Sequence, residues 1–321
     1  MSYDVRMFAR PSTPTGFVEG TRTSRSGIET ILAFTDFSSH AAIAIRRASQ
    51  LADQHRSALR LVHVVEPSLL ASDDWSKSVE GSGRVASAET ELAATARSLN
   101  CTSPVSAQVL VGSVIEEILR VADQADLLVM GAHGLSPAKR ALLGTMAMRL
   151  STSCNRAILV VKQEKTDPYC QVLVPIDLRD DAQTTLQAAQ ALAPDAQLHV
   201  LHAYQGPEGV LQKSSVSKDS LQRSSSTVRA KVEARLDAVL TRAEQGTPRL
   251  LAHVSRDHPV RSTLSTETCM HADLIVMSKR SRSKLEDALL GSTTKRVVED
   301  SHCDVLVVPI LPTPKTVGAR I

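Results

Sequence analysis

The pentapeptide Asp126-Leu-Leu-Val-Met130 returns as Asp273-Leu-Ile-Val-Met277, and its surroundings return with it. Position 144 answers 291 and 157 answers 304, all displaced by the same 147 residues. Val172-Leu-Val-Pro-Ile-Asp177 repeats residues 31–36, Leu198-His-Val-Leu-His202 repeats a run within 58–65, and Leu250-Leu-Ala-His-Val254 one within 105–111. In-register similarity of this extent means two copies of one unit, joined near residues 162–169. A chain of 321 residues has room for two such cores.

Within each copy, short aliphatic runs alternate with stretches of helical period. In the first copy, strands are expected at 28–35, 58–65, 105–111, 126–130 and 157–161, with helices at 40–55, 86–99 and 114–124. Strands alternating with helices of this length give an α/β fold, a doubly wound parallel five-stranded sheet in each copy. Aromatic residues are only 2% of the chain, so the cores must be packed from Val, Leu, Ile and Ala. Residues 1–27 read as a mobile tail, 28–163 and 170–311 as the two domains, and 312–321 as a second tail. The segment 67–84, with Trp75 and Gly81-Ser-Gly83, reads as a linker, and 205–227 as a flexible surface excursion.

The chemistry concentrates after the fourth strand. Gly131, Gly134, nine residues, then Gly144-Thr145 follow a run of buried-strand character. Glycines there let backbone N–H groups approach an anion. A Gly-Thr pair opening a helix adds orphan N–H donors, a hydroxyl and the positive end of the dipole. Together they suggest a nucleotide cradle.

Gly131-x2-Gly134-x9-Gly144-Thr145 resembles the nucleotide-binding signature of the universal stress protein family. Residues 30–38 resemble that family's first strand, ending in Asp36, and Val62-His-Val64-Val its second. The resemblance covers most of residues 28–310. It implies strand order 3-2-1-4-5, with the crevice at the switch point beyond the carboxyl ends of the strands. It also implies that the fifth strands pair between the two copies as an intramolecular pseudo-dimer, hiding both edges. Carried over residue by residue, it gives Val64 backbone contacts to adenine and Asp36 the nucleoside side. It sets Gly131 and Gly134 against ribose and phosphate, and Gly144 and Thr145 on the phosphate chain. The implied ligand is ATP or AMP, with a divalent ion such as Mg optional beside the phosphates.

The first copy departs from the family at Met146, where a second hydroxyl is common, and at Phe34, where Pro175 stands in the second copy. The second copy departs further. Its loop is Ser278-Lys-Arg-Ser281, although Gly291-Ser292-Thr293 keeps the helix-opening element. Serine in place of both glycines argues for a weak or empty second site beside Asp177, and Lys279 and Arg280 offer compensating charge for a phosphate. His133 in the loop is a contact at most, Lys139 and Arg140 are candidate phosphate-steering groups, and His63, His199 and His202 read as packed.

Net charge is +3 with dispersed basic residues, which gives no footprint for nucleic acid. No run approaches the ~20 apolar residues of a membrane span, and no signal peptide is read at the N-terminus. Five scattered cysteines without a CxxC suit reduced thiols and a cytoplasmic protein. No Walker lysine follows the glycines and no general base is evident, so a stress-response nucleotide-binding regulator is expected rather than an enzyme. Slow ATP hydrolysis or autophosphorylation at Thr145 or Ser292 is the chemistry left open, and a ligand-free pseudo-dimer acting as an interaction module is the other alternative. Unidentified protein partners and a further homodimer are the associations left open.

Overall fold

The structure, a computed structural model, describes residues 6–8, 27–67, 78–132, 145–178, 182–204, 218–243, 250–279 and 291–310. The first half contains β2 (Thr30–Phe34), α1 (Ser39–His55), β3 (Ala58–Val65), α2 (Val79–Ser98), β4 (Val105–Val111), α3 (Val114–Ala122), β5 (Leu127–Gly131), α4 (Thr145–Ser153) and β6 (Ala157–Val161). The second contains β7 (Gln171–Ile176), α5 (Ala182–Leu192), β8 (Gln197–Ala203), α6 (Lys218–Ala243), β9 (Leu250–Ser255), α7 (Pro259–Met270), β10 (Leu274–Lys279), α8 (Ser292–Asp300) and β11 (Asp304–Pro309).

All strands among the described residues belong to one 11-stranded sheet, in the order β1-β9-β8-β7-β10-β11-β6-β5-β2-β3-β4, where β1 is Arg6–Phe8. Each half runs 3-2-1-4-5 with parallel neighbours, as the resemblance implied. The halves join antiparallel through β6 and β11, with Leu159 opposite Leu306. Side chains alternate between two aliphatic layers: Ile31 and Ala33 pack beneath α1, while Leu32 packs beneath α3 and α4. Both layers run across the junction without a break.

The repeated aspartates explain the near-identical pentapeptides. Asp126 accepts N–H bonds from Glu29 and Thr30, and Asp273 from Cys170 and Gln171, so each staples the start of its half's first strand.

Polar ties cross the seam. Asp304, fully buried, accepts from the N–H groups of Lys162 (2.8 Å) and Gln163 (3.0 Å) and from the Tyr169 hydroxyl (2.7 Å). Arg47 of α1 lies 3.3 Å from the same carboxylate, sits over the Tyr169 ring, and donates to the Asp167 and Lys165 carbonyls. Lys162 donates to the Ser301 carbonyl and hydroxyl at the end of α8, and Lys279 to the Thr152 and Cys154 carbonyls at the end of α4. Each half therefore caps a helix of the other with a cation, at the terminus where the dipole favours one.

Three expectations need correction. Within the 1–27 tail, Arg6–Phe8 is an edge strand antiparallel to β9; three residues carry no detectable period. Gly81 and Gly83 lie inside α2 rather than in a linker, because Ser78 caps the helix by accepting from Gly81 N–H. Part of 205–227 is helical, since α6 begins at Lys218.

Candidate functional site

The site forms where β2 stops and β3 continues. The Thr35 N–H bonds Val62 C=O, after which the chain turns through Asp36 and Phe37 into α1. Phe37 is left-handed (φ 61), a conformation costing about 1 kcal/mol for a side chain of this kind. The second half repeats it at Leu178 (φ 55). Local hydrogen bonds hold the turn: Phe37 N–H to Thr35 Oγ1 (2.9 Å) and Ser38 N–H to Asp36 Oδ1 (3.0 Å). The cap of α1 is Ser38, whose hydroxyl accepts from Ala41 N–H. Asp36 thus shapes the turn without serving as the cap itself.

Ladder parity exposes a backbone pair at Val64. Ala58 N–H bonds Glu29 C=O and Val62 C=O accepts from Thr35, so even-numbered β3 residues point their amide groups toward β2. Leu59 and Val65 bond the β4 side instead. Val64 is the next even residue, two past the last β2 partner, Phe34 opposite Val62. Its N–H and C=O therefore face the space above the end of β2. The carbonyl of Thr35, which would have received that N–H, accepts from His63 Nδ1 at 2.8 Å. A carbonyl only accepts, so Nδ1 carries the proton. His202 makes the same bond to Ile176 C=O at 2.9 Å.

A cavity of about 170 Å³ opens there, lined by Phe34, Asp36, Val64 and Gly131, with Ile118, Met130, Met146 and Ala147 among its walls. The structure thus brings together Asp36, Val64, Gly131 and Phe34, and α4, which starts at Thr145, borders them through Met146 and Ala147. Phe34 and Met146 both form apolar wall. A second hollow of about 410 Å³ adjoins it across His63, Val64 and Val114, and reaches Arg84 and Glu91 of α2. His133, Gly134, Lys139, Arg140, Gly144, Arg280 and Ser281 lie outside the described residues.

Gly131 has a packing reason to be glycine. Among the described glycines only Gly112 has a positive φ. A Cβ at Gly131 would instead stand 2.8 Å from the backbone oxygen of His40, in the first turn of α1. Strand and helix approach too closely there for any side chain.

In the second half, Asp177 follows β7 and is exposed, and the Ser278 carbonyl accepts from Thr294 Oγ1. Gly291 caps α8, Ser292 is exposed and Thr293 half-buried. Lys279 is buried and donates to the α4 carbonyls, so of the two cations expected to compensate, this one is turned to the seam instead. Among the described residues, no group of three His, Cys, Asp or Glu side chains is placed to hold a metal ion, and no helix is long and apolar enough to cross a membrane.

Sequence reasoning read His63 as packed and missed its place at the site, where its ring lies tilted against Phe37, centroids 4.3 Å apart, beside the cavity. The signal was present: His63 and His202 occupy the same place in the repeat. Val114 and Ile118 of α3 were also missed, because a helical apolar stripe reads only as core.

Known proteins match this arrangement. A family model described as the universal stress protein family matches residues 27–162 and again 168–309. The universal stress protein Rv1996 of Mycobacterium tuberculosis is 25% identical over 297 residues, covering 84% of this chain and 92% of the relative. A universal stress protein from Archaeoglobus fulgidus shares the fold with a TM-score of 0.62 at 18% identity, covering 87% of this chain and 98% of its own. A functionally unknown protein, PA1789 from Pseudomonas aeruginosa PAO1, does so with a TM-score of 0.61 at 19% identity over 88% and 92% of the two chains. With the family model matching both halves almost end to end, this chain belongs to the universal stress protein family.

Proposed function

We propose that the first half seats an adenine nucleotide, ATP or AMP, and that the protein is a nucleotide-dependent regulator in the stress response rather than a catalyst. The observation carrying this reading is the Val64 amide pair above the end of β2. A backbone N–H beside a C=O matches the ring-nitrogen acceptor and amine donor on one edge of adenine. The cavity is smaller than the ~300–1,000 Å³ of whole-ligand sites, and suits one ring system. The ribose and phosphates would then run from Asp36 and Gly131 toward Gly134, Gly144, Thr145 and the start of α4, where a helix dipole favours anions. Lys139, Arg140 and His133 belong to that phosphate side, and Mg would ride on the phosphates. The second half is the weaker binder, since Lys279 is committed elsewhere and Ser278 replaces a glycine. All five cysteines are free, which suits a reducing compartment such as the cytoplasm.

Equilibrium dialysis with labelled ATP and AMP tests the proposal. Asp36→Asn keeps the acceptor for Ser38 N–H and removes the charge. Loss of a charge-assisted bond worth ~1.5–3 kcal/mol weakens binding about 10- to 150-fold. Val114→Trp fills the cavity from α3 and abolishes binding. No binding by the wild type, or equal binding by all three proteins, rejects the site.

A further inference from the structure

The sheet ends differently at its two equivalent edges. β9 carries β1 along its outer side, while β4 is the last strand at the other end of the order. The two edges correspond residue for residue, because His63 and His202 pair with Val109 and Val254. Tyr204 N–H bonds Ser255 C=O, so odd-numbered β9 residues serve β8 and the even ones face outward. Those outward groups, Ala252 and Val254, are opposite Phe8 and Arg6, and both residues are 7% exposed.

On β4, Leu59 N–H bonds Pro104 C=O and Gly112 N–H bonds Val65 C=O, so the even residues serve β3. Val105, Ala107, Val109 and Val111 therefore turn their amide groups outward. Ser106, Ala107 and Gln108 are exposed, and among the described residues no strand pairs with this edge. Its sequence, VSAQVLV, has none of the charges or prolines that usually guard an open edge.

We infer that β4 is the docking edge for a second copy of this chain, paired antiparallel about a twofold axis at Gln108. The junction supplies the precedent for this occupant: β6 and β11, equivalent strands of the two halves, already pair edge to edge and antiparallel. About that axis Ala107 meets Val109 of the partner subunit and Val105 meets Val111 of the partner subunit. Both of these pairs consist of two outward-facing residues, as the hydrogen-bonded positions of an antiparallel ladder require, and Gln108 on the axis takes a non-hydrogen-bonded position. The molecule already accepts antiparallel neighbours at the matching β9 edge and at the β6–β11 junction. A copy of the same strand is self-complementary here, which a twofold interface demands. With β9 covered by β1, the described residues of each chain offer one open edge, and association closes at two.

Light scattering on the size-exclusion eluate of the full chain, with amide exchange across a concentration series, tests this. The expected mass is twice 34.5 kDa, and the Ala107 and Val109 amides exchange more slowly as concentration rises. Ala107→Pro deletes an outward N–H that takes no part in the β3 ladder. It should give a folded monomer whose thermal midpoint no longer rises with protein concentration, and Ala107→Lys provides the same block should the proline prevent folding. Removing residues 1–8 opens β9 and should give species larger than the dimer. A monomeric wild type, a dimer that survives both substitutions, or a truncated chain that still stops at two overturns the inference.

Discussion

Removing the charge at Asp304 should cost far more than a typical substitution. Asp304→Asn keeps the size of the side chain and one oxygen for the Lys162 and Gln163 amides. It leaves Arg47, 1% exposed, without its counter-charge, and turns an amide N–H₂ toward the Tyr169 hydroxyl or the guanidinium. Breaking a buried pair from one side costs ~3–5 kcal/mol. Arg47 keeps the Asp167 and Lys165 carbonyls and the Tyr169 ring, which places the expected loss near the lower bound, about 3 kcal/mol. Arg47→Met should cost less, because Asp304 retains three donors. The two changes together should be non-additive by ~1–3 kcal/mol, as partners in one network are. Urea denaturation of the four proteins gives the cycle. An Asp304→Asn loss below about 1 kcal/mol, or strict additivity, would refute the assignment of Asp304 as the charge that holds Arg47 at the seam.

Three further outcomes follow from the same contacts. Gly131→Ala should lower stability by ~1–3 kcal/mol in the absence of any nucleotide, because the new Cβ meets the His40 carbonyl; an unchanged urea midpoint would contradict this. Lys279→Met should destabilise by ~1–3 kcal/mol by orphaning carbonyls at the end of α4, and a matching loss confined to phosphate binding, with stability intact, would contradict the capping role. Burial, with His199 beside it, lowers the His253 pKa from 6.5 to about 4. The unfolded chain therefore binds more protons between those values. Stability is full above pH 6.5 and falls as the pH drops toward 4, by on the order of 3 kcal/mol. His253→Gln should flatten that slope in urea titrations at pH 7 and pH 5, and an equally steep slope would count against the His253 origin.

Much of this architecture was legible because it is written twice. The offset of 147 residues gave the two halves, and strand order then brought Asp36, Val64 and Gly131 to one place. Contacts that break the repeat were not legible. Lys279 looked like a phosphate ligand because its loop aligns with the glycine loop, whereas only the folded seam shows the end of α4 beside it. Arg47 and Asp304 lie 257 positions apart and neither belongs to a motif. Gly131 was recognised for the right position, but the close approach of His40 is a tertiary fact with no local signature. Gly81 misled in the opposite direction, since a well-capped helix tolerates a glycine that propensity alone disfavours.

The seam has a mechanical consequence. Because one hydrogen-bonded sheet and two continuous aliphatic layers pass from half to half, the covalent tether through residues 162–169 is not what keeps them together. A protease nick at Glu164 would leave two fragments still interlocked, and halves produced as separate polypeptides should find each other in solution and rebuild the whole.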